Sequence, residues 1–254
     1  MTVARAKYQG VLSIVQYNWH FYATSLFTLA AIALILALRL LPRSGQAILI
    51  GAAVLTAFWS VSSLLASYYV YDYRGVTRWS WIPAFLSFPP QHWLNIHAGL
   101  DESTAALTKL FPRTQYCVVD IYDPHQMTEP SIARARRLHI SSQPATAARF
   151  DALPLPEGHC DTVFLLFAAH EVRQRQDRKQ FFAESARVLA SSGQLLLVEH
   201  TRDWRNFVAF GPGFLHFYPR SEWLRLARAA GLIVHREQQI TPFVRCFLMS
   251  KVAS

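Results

Sequence analysis

A chain of 254 residues has room for one α/β domain with an added segment, or for two small domains. Its apolar fraction is 52% and its formal charge is +9. The charge does not point to nucleic acid, because six Lys/Arg in the first ninety residues face only Asp72 and flank apolar runs, where basic residues meet anionic headgroups.

Residues 1–20 are an aromatic and basic lead-in, expected as an interfacial helix. Phe21–Leu38 and Ser44–Tyr71 then carry no charge. About 20 apolar helical residues cross the roughly 30 Å hydrocarbon layer, so both runs read as transmembrane helices joined by a tight turn at Pro42–Gly45. A cleaved signal peptide is excluded, because Arg39-Leu-Leu-Pro42-Arg43 follows the first run with no small-x-small site. Arg5, Lys7, Arg74 and Arg78 lie at one end of the hairpin and Arg39 and Arg43 at the other. This excess places both termini, and the domain that follows, on the cytoplasmic side of an inner or cytoplasmic membrane. Tyr68, Tyr69, Tyr71, Tyr73, Trp79 and Trp81 fit an interfacial aromatic belt. The expected division is a membrane anchor over 1–72, a juxtamembrane connector lying along the membrane surface over 73–91, and a folded domain over 92–254.

From His92 onward strand and helix signals alternate, which predicts a mostly parallel sheet with helices on both faces. Strands are expected near Trp93–His97, Gln115–Asp120, Thr146–Phe150, Thr162–Phe167, Gln194–His200, Ile233–Arg236 and Phe243–Ser250. Helices are expected near Glu102–Leu110, Thr128–Leu138, Asp177–Ala190 and Arg220–Ala230, the last two ended by Ser191-Ser192-Gly193 and by Gly231. Arg134, Arg136, Arg137, Arg173, Arg175, Arg178 and Lys179 sit on or beside these helices, as a solvated surface would place them. The first strand breaks at Gly99 and the second ends on Asp120. A strand-turn-helix-strand unit closing on a carboxylate about 20 residues past its glycine turn is a usual way to hold a ribose-bearing cofactor.

Four motifs follow one another in a telling order. They are Asn95-Ile-His-Ala-Gly99-Leu-Asp101, Val118-Val119-Asp120-Ile121-Tyr122, Arg149-Phe-Asp-Ala-Leu-Pro-Leu-Pro156, and Cys160-Asp-Thr-Val-Phe-Leu-Leu-Phe-Ala-Ala-His-Glu171 leading to Ser192-Gly-Gln-Leu-Leu-Leu-Val-Glu199. In this order they resemble the class I S-adenosylmethionine-dependent methyltransferases, in particular the branch with quinone and small-molecule C- and O-methyltransferases. The resemblance implies a Rossmann-like seven-stranded sheet and S-adenosylmethionine as cofactor. It places Asn95, His97, Gly99 and Asp101 at the methionine end, Asp120 and Ile121 at the ribose, Asp151 and Ala152 at the adenine, and Phe167 beside the methyl group. The chain departs from the family pattern at the turn: Gly99 alone is kept, His97 and Asp101 stand at two glycine-like positions, and Asn95 replaces the acid.

Methyl transfer from a sulfonium is an in-line displacement, so the protein supplies proximity and a dry pocket, and a base only where the acceptor must lose a proton. The resemblance makes His170 the first candidate base and His200 the second, with Glu171 orienting His170 or capping a helix. Residues 200–219 hold six large aromatics and the break Gly211-Pro212-Gly213. Trp204, Phe210, Phe214, His216 and Tyr218 are expected there as substrate-binding residues, in a lid over an apolar substrate or a surface dipping into the bilayer. No metal site is expected, since the ten histidines and three cysteines lack local ligand spacing. The resulting expectation is a membrane-anchored methyltransferase acting on a lipophilic small molecule, with the bilayer as a partner and no nucleic acid. The alternative is an inactive methyltransferase-like module that serves membrane-bound assembly.

Overall fold

The computed structural model describes residues 7–138 and 143–252; Arg5, expected in the charged flank of the first span, lies outside them. Helix α1 (Gln9–Ala37) absorbs both the lead-in and the first apolar run, with one non-helical residue at Asn18. Helix α2 (Arg43–Ser67) continues into a π-helical turn over Tyr68–Tyr73. Both helices are long and apolar enough to cross a membrane. Leu26, Phe27, Ile48, Val54 and Leu65 on them are exposed rather than packed into the protein. The start of α1 is tied to the end of α2. Asp72 accepts hydrogen bonds from the backbone N–H groups of Gly10 (2.7 Å) and Val11 (2.9 Å), which have no partner within the helix.

The strands are β1 (His92–His97), β2 (Gln115–Asp120), β3 (Thr146–Ala147), β4 (Cys160–Leu166), β5 (Leu189–His200), β6 (Leu232–Thr241) and β7 (Val244–Lys251). They form one sheet in the order β3-β2-β1-β4-β5-β7-β6, with β7 antiparallel to both neighbours and the other pairings parallel. Helices α3 (Ile82–Phe85), α4 (Thr104–Leu110), α5 (Pro130–Leu138), α6 (Arg175–Val188), α7 (Trp204–Phe210) and α8 (Arg220–Ala229) surround it.

Side chains along a strand point alternately to opposite faces, and the central strands are apolar on both. Leu94, Ile96, Val163, Leu165, Leu195 and Leu197 belong to one buried cluster, closed by Phe181 and Phe182 of α6 and Trp223 of α8. Trp93, Phe164, Leu166, Leu196 and Val198 belong to the other. The cover of that second face is the segment expected along the membrane surface: Val76, Trp79, Ile82, Phe85 and Leu86 pack on the sheet. Trp79 is 1% exposed, so it is core and not belt; of the expected belt, Tyr73 remains largely exposed. Full burial of a large apolar side chain stabilises by about 1.5–3 kcal/mol.

Three local expectations differ. The helix α6 ends at Val188, and Ser191-Ser192-Gly193 lies within β5 rather than capping it. The expected strand Thr146–Phe150 shortens to β3, because Arg149 turns back to bridge Ala152. Residues 204–210, expected as loop, form α7, with the Asp203 side chain accepting from the Asn206 N–H at 3.0 Å as an N-cap. Gly231 closes α8 as expected, in the left-handed region at φ 72°.

Candidate active site

The carboxyl ends of β1, β2, β4 and β5 bring most of the expected residues to one edge. At the β1–β2 end, Gly99 has φ 91° and a side chain there would meet the Tyr122 ring at 3.0 Å, so only glycine fits the turn. The Gly99 and Tyr122 N–H groups donate to Asp120 Oδ1 at 2.9 and 3.0 Å, aiming the carboxylate. Its other oxygen accepts from the Arg136 guanidinium on α5. His97 Nδ1 lies 3.6 Å from the same carboxylate.

Asn95 and Asp101 are tied to the start of α4. The Asn95 amide donates to Ser103 Oγ (2.8 Å) and Thr104 Oγ1 (2.7 Å), and Asp101 Oδ1 accepts from the Ser103 and Thr104 N–H groups at 3.1 and 2.9 Å. Both are buried and fasten the first turn of α4. Ile121 is buried in the core. Asp151 and Ala152 sit in the turn after β3. Arg149 grips Asp151 with two hydrogen bonds (2.8 and 2.7 Å), which hold that carboxyl below the usual range. Phe167, at φ 57°, is stacked on His200 at 5.2 Å between ring centroids.

At the β4–β5 end the two candidate bases have opposite surroundings. Glu199, fully buried at the end of β5, accepts from the Ala169 N–H (2.9 Å), the His170 N–H (3.2 Å) and His170 Nδ1 (2.7 Å). His170 Nε2 lies 3.3 Å from Glu171 Oε1. Burial opposes charge on His170, but the two carboxylates prevail and push its pKa up to about 10. It is therefore an imidazolium at neutral pH and does not accept a proton there. Burial works against Glu171 as well, yet His170, His216 and Arg173 bring it below the usual carboxylate range.

His200 is neutral. Burial, helped by the His170 charge, pulls it down to about 4. Its Nδ1 bonds the Phe243 carbonyl oxygen (2.9 Å) and its Nε2 the Tyr71 hydroxyl (2.9 Å), so Nδ1 carries the proton and Tyr71 donates. With both nitrogens engaged and Phe167 and Phe217 stacked on its faces, His200 is a joint between sheet and helical hairpin rather than a base.

The aromatic segment divides. Phe210 packs on His200, Phe217 and Phe243, and Phe214 on Phe207. Trp204 points outward, 70% exposed. Tyr218 leaves the group, donating to the Arg173 carbonyl oxygen (3.0 Å) with the Arg178 guanidinium 3.7 Å above its ring. His216 meets His170 edge-on at 5.1 Å, and its Nδ1 lies 3.5 Å from Glu129, whose carboxyl is held low by that imidazole. Chain-local spacing gave no hint of this meeting, since 46 residues separate His170 from His216. Glu129 has no place in the sequence reading, and Glu199, Arg136 and Tyr71 enter it only as the end of a motif, part of a solvated surface and part of an interfacial belt; Glu199 alone carried a signal, as an acid closing an apolar strand.

Residues 94–197 match a family model described as a methyltransferase domain. Solved structures of the same fold include a SAM-dependent methyltransferase from Aquifex aeolicus (18% identity, 68% of this chain and 88% of that one, TM-score 0.52). A protein from Pyrococcus horikoshii (14%, 72% and 91%, 0.54) and a mitomycin 7-O-methyltransferase (14%, 93% and 68%, 0.52) share it. No curated protein matches the chain. Over residues 94–197 the sheet that follows the helical hairpin carries a methyltransferase domain, in the fold of the S-adenosylmethionine-dependent methyltransferases. The protein is an enzyme of that class, with S-adenosylmethionine as its cofactor.

The residues present fit the nucleoside half of that cofactor with one displacement. Gly99 and Asp120 hold the shape and charge a ribose requires, and the Arg136 side chain that now occupies the acid is 45% exposed and lies over the Tyr122 ring. At the amino-acid half, Asn95 Nδ2 and Asp101 Oδ1 are held by the start of α4, while the buried Asn95 Oδ1 has no hydrogen-bond partner among the described residues.

Proposed function

We propose that the protein is a membrane-anchored methyltransferase of lipophilic small molecules, with the hairpin as anchor and the aromatic segment as the entrance for the acceptor. The observation that carries this reading is the contact between that segment and α2. The Ser62 hydroxyl donates to the Ala209 carbonyl oxygen (2.9 Å), Trp59 packs edge-on against Phe207 (5.6 Å), and Gly211 (φ 55°) lies so close to Trp59 that a side chain there would meet the indole at 2.7 Å. Trp59 lies 16 residues beyond Arg43, about 24 Å along the helix. The exposed apolar side chains of α7 and the turn after it, Val208 and Leu215, thus stand beside the apolar length of α2 rather than beyond its end.

Asp120, once Arg136 moves off, would accept the ribose hydroxyls, a task that suits a carboxylate. The bound sulfonium supplies the methyl group for an in-line displacement. Phe210, Phe214 and Phe217 exclude water from the acceptor, and confinement of enzyme and acceptor to one surface raises their effective concentration. The residues of the cofactor and acceptor sites are assigned on this basis, with 1–72 as anchor, 73–91 as the sheet-covering connector and 92–254 as the enzyme domain.

The test is calorimetric titration of S-adenosylhomocysteine into the full chain in detergent, followed by incubation with labelled cofactor and a membrane lipid extract. Binding that Asp120→Ala abolishes, with label recovered in the organic phase, supports the reading. Binding without any lipid-soluble product overturns the acceptor class, and no binding at millimolar ligand favours the inactive module.

A further inference from the structure

Two histidine–carboxylate pairs converge on one buried carboxylate at the β4–β5 edge. His170 gives its Nδ1 to the fully buried Glu199 (2.7 Å), and His216 turns its Nδ1 to Glu129 (3.5 Å). The Nε2 atoms of both rings then face Glu171 Oε1, at 3.3 and 4.0 Å. Glu171 is 6% exposed, and its second oxygen, Oε2, finds no hydrogen-bond donor among the described residues. A buried carboxylate oxygen without a donor costs free energy that a well-satisfied fold avoids.

This is how a metal-binding imidazole is usually held: one nitrogen fixed by a carboxylate, the other turned inward. The spacing agrees. Bonds of about 2.0–2.1 Å from a tetrahedral zinc to nitrogen or oxygen put neighbouring ligand atoms roughly 3.3–3.4 Å apart. One ligand atom from each of His170, Glu171 and His216 lies within 4.8 Å of the others, so closing on a cation needs only small side-chain movements. The backbone is already fixed, since the Arg173 guanidinium donates to the carbonyl oxygens of both His170 (3.2 Å) and His216 (2.8 Å). Entry is open as well: Glu171 and Glu129 line a surface cleft together with Met127, Phe150 and Gln174.

We propose that His170 Nε2, His216 Nε2 and the Glu171 carboxylate form a binding site for a divalent transition cation of the zinc class, which displaces the Nε2 proton of His170 to solvent as it binds, with Glu199 and Glu129 as the outer carboxylates. Two nitrogens and one carboxylate suit zinc better than magnesium or calcium, which take oxygen ligands. Three protein ligands leave a fourth position for a water or an oxygen of a ligand in the cleft.

The test uses the full chain in detergent, stripped by chelator and titrated with Zn2+. One equivalent is expected to bind, with Glu171→Gln and His216→Ala each lowering affinity at least tenfold, Glu129→Gln lowering it about tenfold as an outer-shell change, and the distant His235→Ala leaving it unchanged. Should a ligand variant fail to fold, the unaltered chain loaded with Co2+ decides, because tetrahedral nitrogen and oxygen coordination gives intense visible d–d bands. Absence of stoichiometric binding, binding that survives Glu171→Gln and His216→Ala in folded protein, or a Co2+ spectrum of hydrated octahedral ion would each overturn the site.

Discussion

At the β1–β2 end of the sheet's carboxyl edge, polar side chains are held by close neighbours in the chain and by one arginine: Asn95 bonds the hydroxyls of Ser103 and Thr104, Asp101 their amides, and Asp120 collects two amides and a guanidinium. At the β4–β5 end the carboxylates face imidazoles, and one histidine is charged while its neighbour on the next strand is neutral. Burial opposes charge on both histidines, so the difference follows from their partners. A histidine between two buried carboxylates keeps its proton, whereas one among aromatic rings and a carbonyl loses it.

Removing Glu199 should break this comparison most severely. Glu199→Ala strips a buried anion from His170 and leaves two amides without an acceptor, so thermal or urea unfolding of the full chain should show a loss of about 3–5 kcal/mol. A loss below about 1 kcal/mol would mean that His170 is not charged there.

The neutral partner is probed by acid. His200 is held at about 4 in the fold against 6.5 for a free imidazole, so the unfolded chain binds the proton first. Its contribution is complete above about pH 6.5 and is lost as pH falls towards 4. Urea midpoints at pH 7.5 and 5 should therefore differ, and His200→Asn should narrow the gap. Removing only the hydroxyl that reaches His200, by Tyr71→Phe, should cost about 1 kcal/mol.

The smallest effect belongs to the β1–β2 end. Because Arg136 is half exposed, its hold on Asp120 is worth roughly 0.5–1 kcal/mol, and Arg136→Ala should tighten S-adenosylhomocysteine binding severalfold in calorimetry. Weaker binding would show that Arg136 assists the ligand instead of competing with it.

The sheet was legible because its strands are short apolar runs punctuated by Gly99, Asp120 and Gly231, signals that act over a few residues. Helix α7 was legible only in part: Asp203 stands at an N-cap, but the nearby Gly211-Pro212-Gly213 reads as loop. The packing of the connector on the sheet was not legible because tyrosine and tryptophan suit an interface and a core equally well, and the sequence does not say which surface they meet. The grouping of His170, Glu171 and His216 depends on residues far apart in the chain, and the grip of Arg136 and Arg149 on the two acids depends on where long side chains come to rest. Neither leaves a local pattern.

The π-helical turn at Tyr68–Tyr73 passes from α2 into the domain without slack, and Val70, Tyr71 and Asp72 from it are each committed to a different neighbour. Cutting the chain there would tear open the wall of the folded body rather than snip a tether. Hairpin and catalytic body should accordingly melt in one calorimetric transition, and whatever force acts on the two long helices is delivered directly to the strand end that carries His200.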